Sequence, residues 1–328
     1  MNTRRKLVIA LGVGALSAPL GSFSQQQNKV WRVGILTPDS LESRRPLVEV
    51  FMRAMHELGY ADGKNVAYEP RYANGDPARL SALAAELAGQ GFDVIVVSNS
   101  LAAVAAAKAT RSIPVVFTSV ADPIASGVAS SLARPGGNVT GLTNITIELT
   151  GKQLQLLKDA FPKISRVAIF VDSAVSVATA YSEEAKRVAK ALGMQALPTE
   201  VRSSEDVEKN IALLGNWRAD SMFVLNNPTN FNNRKLLIKI AEETRLPAIY
   251  GSDAYAEPGG LMSYGSSEKA RWQQAARFVD RILKGAKPAD LPIEQPTVFE
   301  LVVNLKTAKA LGIIVPQSIL LRADRVIK

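Results

Sequence analysis

Cysteine is absent from the 328-residue chain. That excludes disulfides, thiol catalysis and a lipid-bearing cysteine behind a leader. Histidine occurs once, as His56 beside Met55 and Leu58. This is a surface or boundary position in a helical pattern, with no triad partner except its own helix neighbours. With so few nitrogen and sulfur ligands, and no calcium-loop spacing of carboxylates, no metal site is expected. The first strand signature runs into TPDSLESRRP, which holds no glycine, so a dinucleotide fingerprint is missing where it belongs. No GxxxxGK[ST] phosphate loop occurs, and no cofactor is implied. Paired carboxylates at Glu183-Glu184 and Glu242-Glu243 read as solvated helix faces. A non-enzymatic role is expected.

What is present begins with a leader. Arg4, Arg5 and Lys6 precede an apolar, Gly/Ala-rich run from Leu7 to Leu20, and Ser22-Phe23-Ser24 supplies small residues before Gln25. Residues 1–24 read as a signal peptide, by the general or the twin-arginine route, with structure beginning near Val30. Later segments are too short to span a bilayer. The expected location is the periplasm. Without the leader, 36 of the 39 Lys and Arg remain against 30 Asp and Glu, with no dense basic run, so nucleic acid is not an expected partner. At 47% hydrophobic and 21% charged, the composition is that of a globular protein long enough for two cores.

Apolar runs of four to seven residues alternate with helical patterns along the whole chain. Two successive sets of such units predict an α/β fold of two Rossmann-like lobes with parallel sheets, roughly Val30–Thr143 and Asn144–Ser266. Expected helices include one from about Pro46, a small-residue helix after Asp122, one over Asn232–Arg245, a long one over Ser267–Lys284 and a short one over Thr307–Leu311. The pattern does not assign the tail to either lobe.

The candidate site rests on a recurrence. Strand ends carry Thr37 and Ser40; Ser98, Asn99 and Ser100; Thr118, Ser119 and Asp122; Asp172; Asn226 and Asn227; and Asp253. Ligands of open α/β sheets bind at the carboxyl ends of strands. Hydroxyls, amides and helix N-termini can hold a carboxylate there, and a carboxylate from the facing lobe can hold an ammonium group. Each of these residues is equally a helix cap, which every α/β protein needs. Tyr250, Tyr255 and Tyr264 are placed to wall a pocket or to pack at its rim. Arg44 and Arg45 read as solvated charge rather than as carboxylate partners.

The segments VGILTP, LGYADGKNVAYEPRYANGDPARL, FDVIVVSNS, IPVVFTSVADPIASGVASSLARPGGNVTGL and NLKTAKALGI together resemble the substrate-binding proteins of ABC transporters. More closely, the chain is similar to their tryptophan/tyrosine-type family with the periplasmic-binding-protein type I fold. The resemblance spans nearly all of the chain after the leader, and DPIASGVASSLARPGGNVTG is its most specific part. It implies two lobes joined by a three-crossing hinge, with residues 30–143 plus 267–298 in one and 144–266 plus 299–328 in the other. It implies a monomeric receptor that closes on a small ligand, such as an amino acid or related zwitterion, and delivers it to an ABC permease. The ligand-facing loops it implies are the strand ends named above. A sensory module for a receptor kinase would bind in the same way, and an exported hydrolase or epimerase on this fold would turn its ligand over.

Overall fold

In the first lobe, β-branched strand cores alternate with amphipathic helices. In chain order the elements are β1 (Trp31–Thr37), α1 (Leu41–Glu57), β2 (Val66–Tyr72), α2 (Pro77–Gly89), β3 (Val94–Val97), α3 (Ser100–Ala109), β4 (Val115–Val120) and β5 (Val139–Thr143). All five strands are parallel, in the order β2-β1-β3-β4-β5. The computed structural model describes residues 29–144, 146–173 and 178–328. The leader expected at residues 1–24 lies outside them.

The second lobe holds α4 (Thr146–Ala160), β6 (Arg166–Asp172), α5 (Ala178–Ala191), β7 (Gln195–Val201), α6 (Ser204–Trp217), β8 (Ser221–Val224), α7 (Pro228–Asn232), α8 (Arg234–Glu243), β9 (Ala248–Tyr250) and β10 (Met262–Ser266). After α9 (Glu268–Leu283) the chain adds β11 (Phe299–Asn304), α10 (Leu305–Leu311), α11 (Gln317–Leu320) and β12 (Arg325–Ile327). The sheet order is β12-β11-β10-β9-β8-β6-β7. β11 runs antiparallel to β10, a departure from the all-parallel expectation. The reversal follows from its entry: β11 arrives from the other lobe instead of through a helical crossover.

Helix boundaries moved where a cap overrode the apolar pattern. α1 starts near Ser40, whose Oγ accepts from Ser43 N–H, so Pro46 lies inside the helix. The helix expected over Asn232–Arg245 is α8, and a short helix not expected from the pattern, α7, precedes it, capped by Asn227 and separated from α8 at Asn233. No helix follows Asp122. Its Oδ1 accepts from Ile124 and Ala125 N–H, Gly127 turns the chain at φ 72°, and the stretch stays irregular until β5.

α9 belongs to the first lobe by packing. Its Trp272, Ala276, Phe278 and Val279 share a core with Val48, Phe51 and Met55 of α1 and with Val33 and Ile35 of β1. The chain therefore passes between the sheets three times: after β5, between β10 and α9, and ahead of β11. The passages are tied to one another. Thr143 N–H donates to Glu294 C=O and Glu294 N–H to Gly141 C=O, while Ser267 N–H donates to Val298 C=O. Beside them a turn over Asp253–Tyr255 half-buries a carboxyl. Burial pushes Asp253 up to about 6, with Glu268 and Glu300 adding and Arg325 and Arg271 opposing.

Two predictions follow from this framework. Gly141 sits in β5 at φ 144°, and a Cβ there would fall on the Phe117 carbonyl of β4. Gly141→Ala is expected to cost about 3 kcal/mol or more, read as a lowered urea midpoint at a similar m-value. A change within 0.5 kcal/mol, on the order of a surface substitution, would refute the close approach. Asp253 keeps its proton in the folded state up to about 6, against 3.8 ordinarily, so it makes folding less favourable as pH rises through that window. Asp253→Asn removes the cost. Relative to the parent, its unfolding free energy should gain with pH between about 4 and 6, by an amount on the order of 1–3 kcal/mol. A pH-independent difference contradicts the assignment.

Candidate functional site

Between the carboxyl ends of the two sheets lies a cavity of about 340 Å³. The first lobe contributes Ser98, Asn99, Ser100 and Leu101 after β3, and Ser119, Ala121, Asp122, Ala125 and Ser126 from the end of β4 and the turn beyond it. The second contributes Asn226 and Asn227 after β8, with Tyr181 of α5 and Phe231 of α7. Asn144, Arg44 and Glu268 complete the wall at the junction.

Several of these residues cap and line at once. Asn99 Oδ1 accepts from Ala102 N–H, and Asn227 Oδ1 accepts from Asn230 N–H. Each amide still has its NH₂ to offer. Asp122 spends Oδ1 on the turn and keeps Oδ2. Ser100 Oγ accepts from Ala121 N–H at 3.3 Å, and Ser119 Oγ accepts from Asn144 at 3.1 Å, so each hydroxyl proton remains available.

The other expected residues stand elsewhere. Thr37 is buried behind the cavity, where its hydroxyl donates to Asp39 at 3.0 Å and accepts from Ser98 at 3.0 Å. Thr118 donates to the Ser98 carbonyl at 3.1 Å. Both position Ser98 without reaching the cavity wall. Ser40, the α1 cap, borders a separate polar cavity of about 460 Å³ facing Ser203, Ser204 and Arg234. Asp172 is buried at the end of β6, and Asp253 lies in its turn; neither lines the 340 Å³ cavity.

The aromatic wall also differs from the three tyrosines considered from sequence. Tyr250 and Tyr255 stack on each other in the core, centroids 4.9 Å apart, and Tyr264 stacks on Phe299. Tyr181 and Phe231 take the wall positions instead. Phe231 had a signal: it lies one turn after the strand-end Asn227. Tyr181 had none beyond its place near the start of a helix.

Arg44 is the main correction. It is 6% exposed, while Arg45 pairs with Glu49 on the surface as expected of solvated charge. Arg44 Nε donates to Asp39 at 2.5 Å, Nη1 donates to Glu268 at 2.9 Å, and the guanidinium stacks over Phe231 at 4.3 Å. It thus joins the loop after β1, the head of α9 and the second lobe. Burial alone would lower its pKa; Glu268 and Asp39 more than reverse that. Burial likewise would raise the Glu268 carboxyl, but Arg44 and Arg271 hold it below the usual carboxylate range. The sequence signal was a second basic residue one turn past a helix cap, which charge patterning alone assigns to solvent.

A set of hydroxyls, amides, one guanidinium and two carboxylates around a small two-sided cavity can hold a zwitterion. The described residues contain no cluster of metal-ligating side chains. Comparisons with known proteins agree with the geometry. Residues 32–327 match the family described as ABC transporter substrate binding protein. A tyrosine-binding protein of Clostridioides difficile is 25% identical over 262 residues, covering 80% of this chain and 75% of that protein. The structure of an ABC domain from Streptococcus pneumonia in complex with L-Trp superposes with a TM-score of 0.84 at 26% identity, over 91% of this chain and all of that one, 100%. The ligand-free, open structure of a substrate binding protein with adhesive properties from Clostridium difficile gives a TM-score of 0.69 at 24% identity, over 91% of this chain and 99% of that one. The two lobes with their parallel sheets match the periplasmic-binding-protein type I fold, and the chain belongs to the ABC transporter substrate binding protein family.

Proposed function

We propose that this chain is a periplasmic receptor that captures an amino acid or related zwitterion, aromatic ones included, and presents it to an ABC permease. The observation that carries the reading is the 340 Å³ cavity shared by both lobes and walled by Tyr181 and Phe231. In it the N–H groups at the head of α3, with the hydroxyls of Ser100 and Ser119, hold the carboxylate. The Oδ2 of Asp122 holds the ammonium group. Leu101, Val104, Tyr181 and Phe231 enclose the side chain. Thr37 and Thr118 stand behind them and position Ser98.

The moving bodies are residues 30–143 with 267–298 and residues 144–266 with 299–328, turning about the three hydrogen-bonded passages. The closer superposition on the tryptophan-bound relative than on the open one supports reading this arrangement as closed. A ligand must supply about 5 kcal/mol of preference for the closed form to take a mostly open receptor to a mostly closed one. The receptor acts as a monomer after loss of its leader.

Two measurements test this. Among the L-amino acids, at least one with an apolar or aromatic side chain should raise Tm by several degrees when present at about a hundred times its Kd, where linkage supplies about 2.7 kcal/mol. A complete amino-acid panel without a shift refutes the ligand class. Asp122→Asn keeps the Oδ1 cap and removes the charge. It should weaken binding by about tenfold to a hundredfold with little change in the unliganded Tm. Unchanged affinity would remove Asp122 from the ammonium site.

A further inference from the structure

Arg44 has a donor left over. Nε is spent on Asp39 and Nη1 on Glu268, and among the described residues Nη2 bonds to nothing. The atom is not sealed in either: the occluded side-chain nitrogens without partners include Nε of Arg271 but not Nη2 of Arg44. Since the residue is 6% exposed and lines the cavity, that free edge opens on the cavity rather than on bulk water.

An acceptor lies beside it. Glu268 Oε2 takes the bond from Arg44, but Oε1 meets Arg271 Nη2 only at 3.9 Å, too long for a hydrogen bond. A carboxylate oxygen accepts more than one donor, so Glu268 has capacity to spare even with Asn226 in reach. A guanidinium N–H and a carboxylate oxygen therefore face the cavity side by side.

The charge balance says what they can hold. Arg44 already answers two carboxylates, Asp39 and Glu268. A ligand carboxylate drawn to Nη2 would stand close to both, and like charges at that range oppose each other. The group recognised here is neutral. The ligand's own zwitterion fits at the other side, where a hydrogen bond from Ala121 to Ser100 knits Asp122's loop to the head of α3.

We propose that Arg44 and Glu268 are the side-chain recognition end of the cavity, selecting a neutral group that accepts or donates a hydrogen bond: a hydroxyl, a carboxamide or an indole N–H. The inference rests on the amino-acid reading above. It adds that a purely aliphatic or hydrocarbon side chain is the poorer ligand, because it gives no partner to Arg44 Nη2 or to the spare acceptor of Glu268.

Isothermal titration of the purified protein tests it with three matched pairs: L-tyrosine and L-phenylalanine, L-glutamine and L-methionine, L-tryptophan and 1-methyl-L-tryptophan. In at least one pair the polar member should bind about tenfold tighter or more. Arg44→Lys and Glu268→Gln should shrink that ratio severalfold, the ratio being the readout because both residues also join the lobes. If Arg44→Lys does not fold, Glu268→Gln alone carries the comparison. Equal affinities within every binding pair, or variants that weaken both members alike, overturn the proposal and leave the amino-acid reading standing. Failure of all six compounds and of the complete amino-acid panel overturns both.

Discussion

Everything at the cleft depends on three neighbouring backbone passages held together by hydrogen bonds. Thr143 pairs with Glu294, and Ser267 with Val298, so the crossings lie together as one unit. Parallel strands deliver their carboxyl ends to one edge of each sheet, and this unit turns the two edges toward each other. Gly141 lets β5 come close enough to β4 for the first crossing to begin where it does. Move that crossing and Asn144 no longer reaches Ser119.

That geometry explains why strand-end residues were readable in sequence and why their roles were not. Asn99, Asp122 and Asn227 are helix or turn caps, and they also line the cavity. Capping consumes one oxygen of each and leaves the rest of the group pointing outward. The choice between cap and ligand contact was therefore a false one at these positions. At Thr37 and Thr118 the choice fell differently, because both hydroxyls are used up holding Ser98. Nothing in a one-dimensional pattern separates a hydroxyl that faces the ligand from one that braces its neighbour.

The fold itself was legible where periodicity was strong and failed where a cap or a crossing intervened. The runs at β1, β3, β4 and β6 could be read from apolar content alone. α1 could not be placed, since Pro46 looks like a start and Ser40 is the real one. The small residues after Asp122 read as helix by composition, but side-chain and glycine turns took the backbone's hydrogen bonds first. β12 and the reversed direction of β11 depend on a chain that changes lobes, which no local pattern encodes. Arg44 was hidden for a related reason. Its partners are five residues away at Asp39 and 224 residues away at Glu268, and only the second explains its burial.

The junction around Arg44 is not where a protein tuned only for stability would place charge. Asp39 Oδ1 and Arg271 Nε are buried without partners, and Arg271 is lowered by burial beyond what Glu268 and Asp253 return. Well-packed apolar side chains of similar volume are often neutral or better in such positions. Buried ionic groups that do not improve stability are best explained by what they arrange. Here they hold one guanidinium over the ring of Phe231 of the opposite lobe, which also receives Arg234 at 4.4 Å. The same contact joins the first lobe to the second. Arg44 is therefore both a wall of the cavity and a link between the lobes, so under the proposed function ligand recognition and lobe closure would share one side chain.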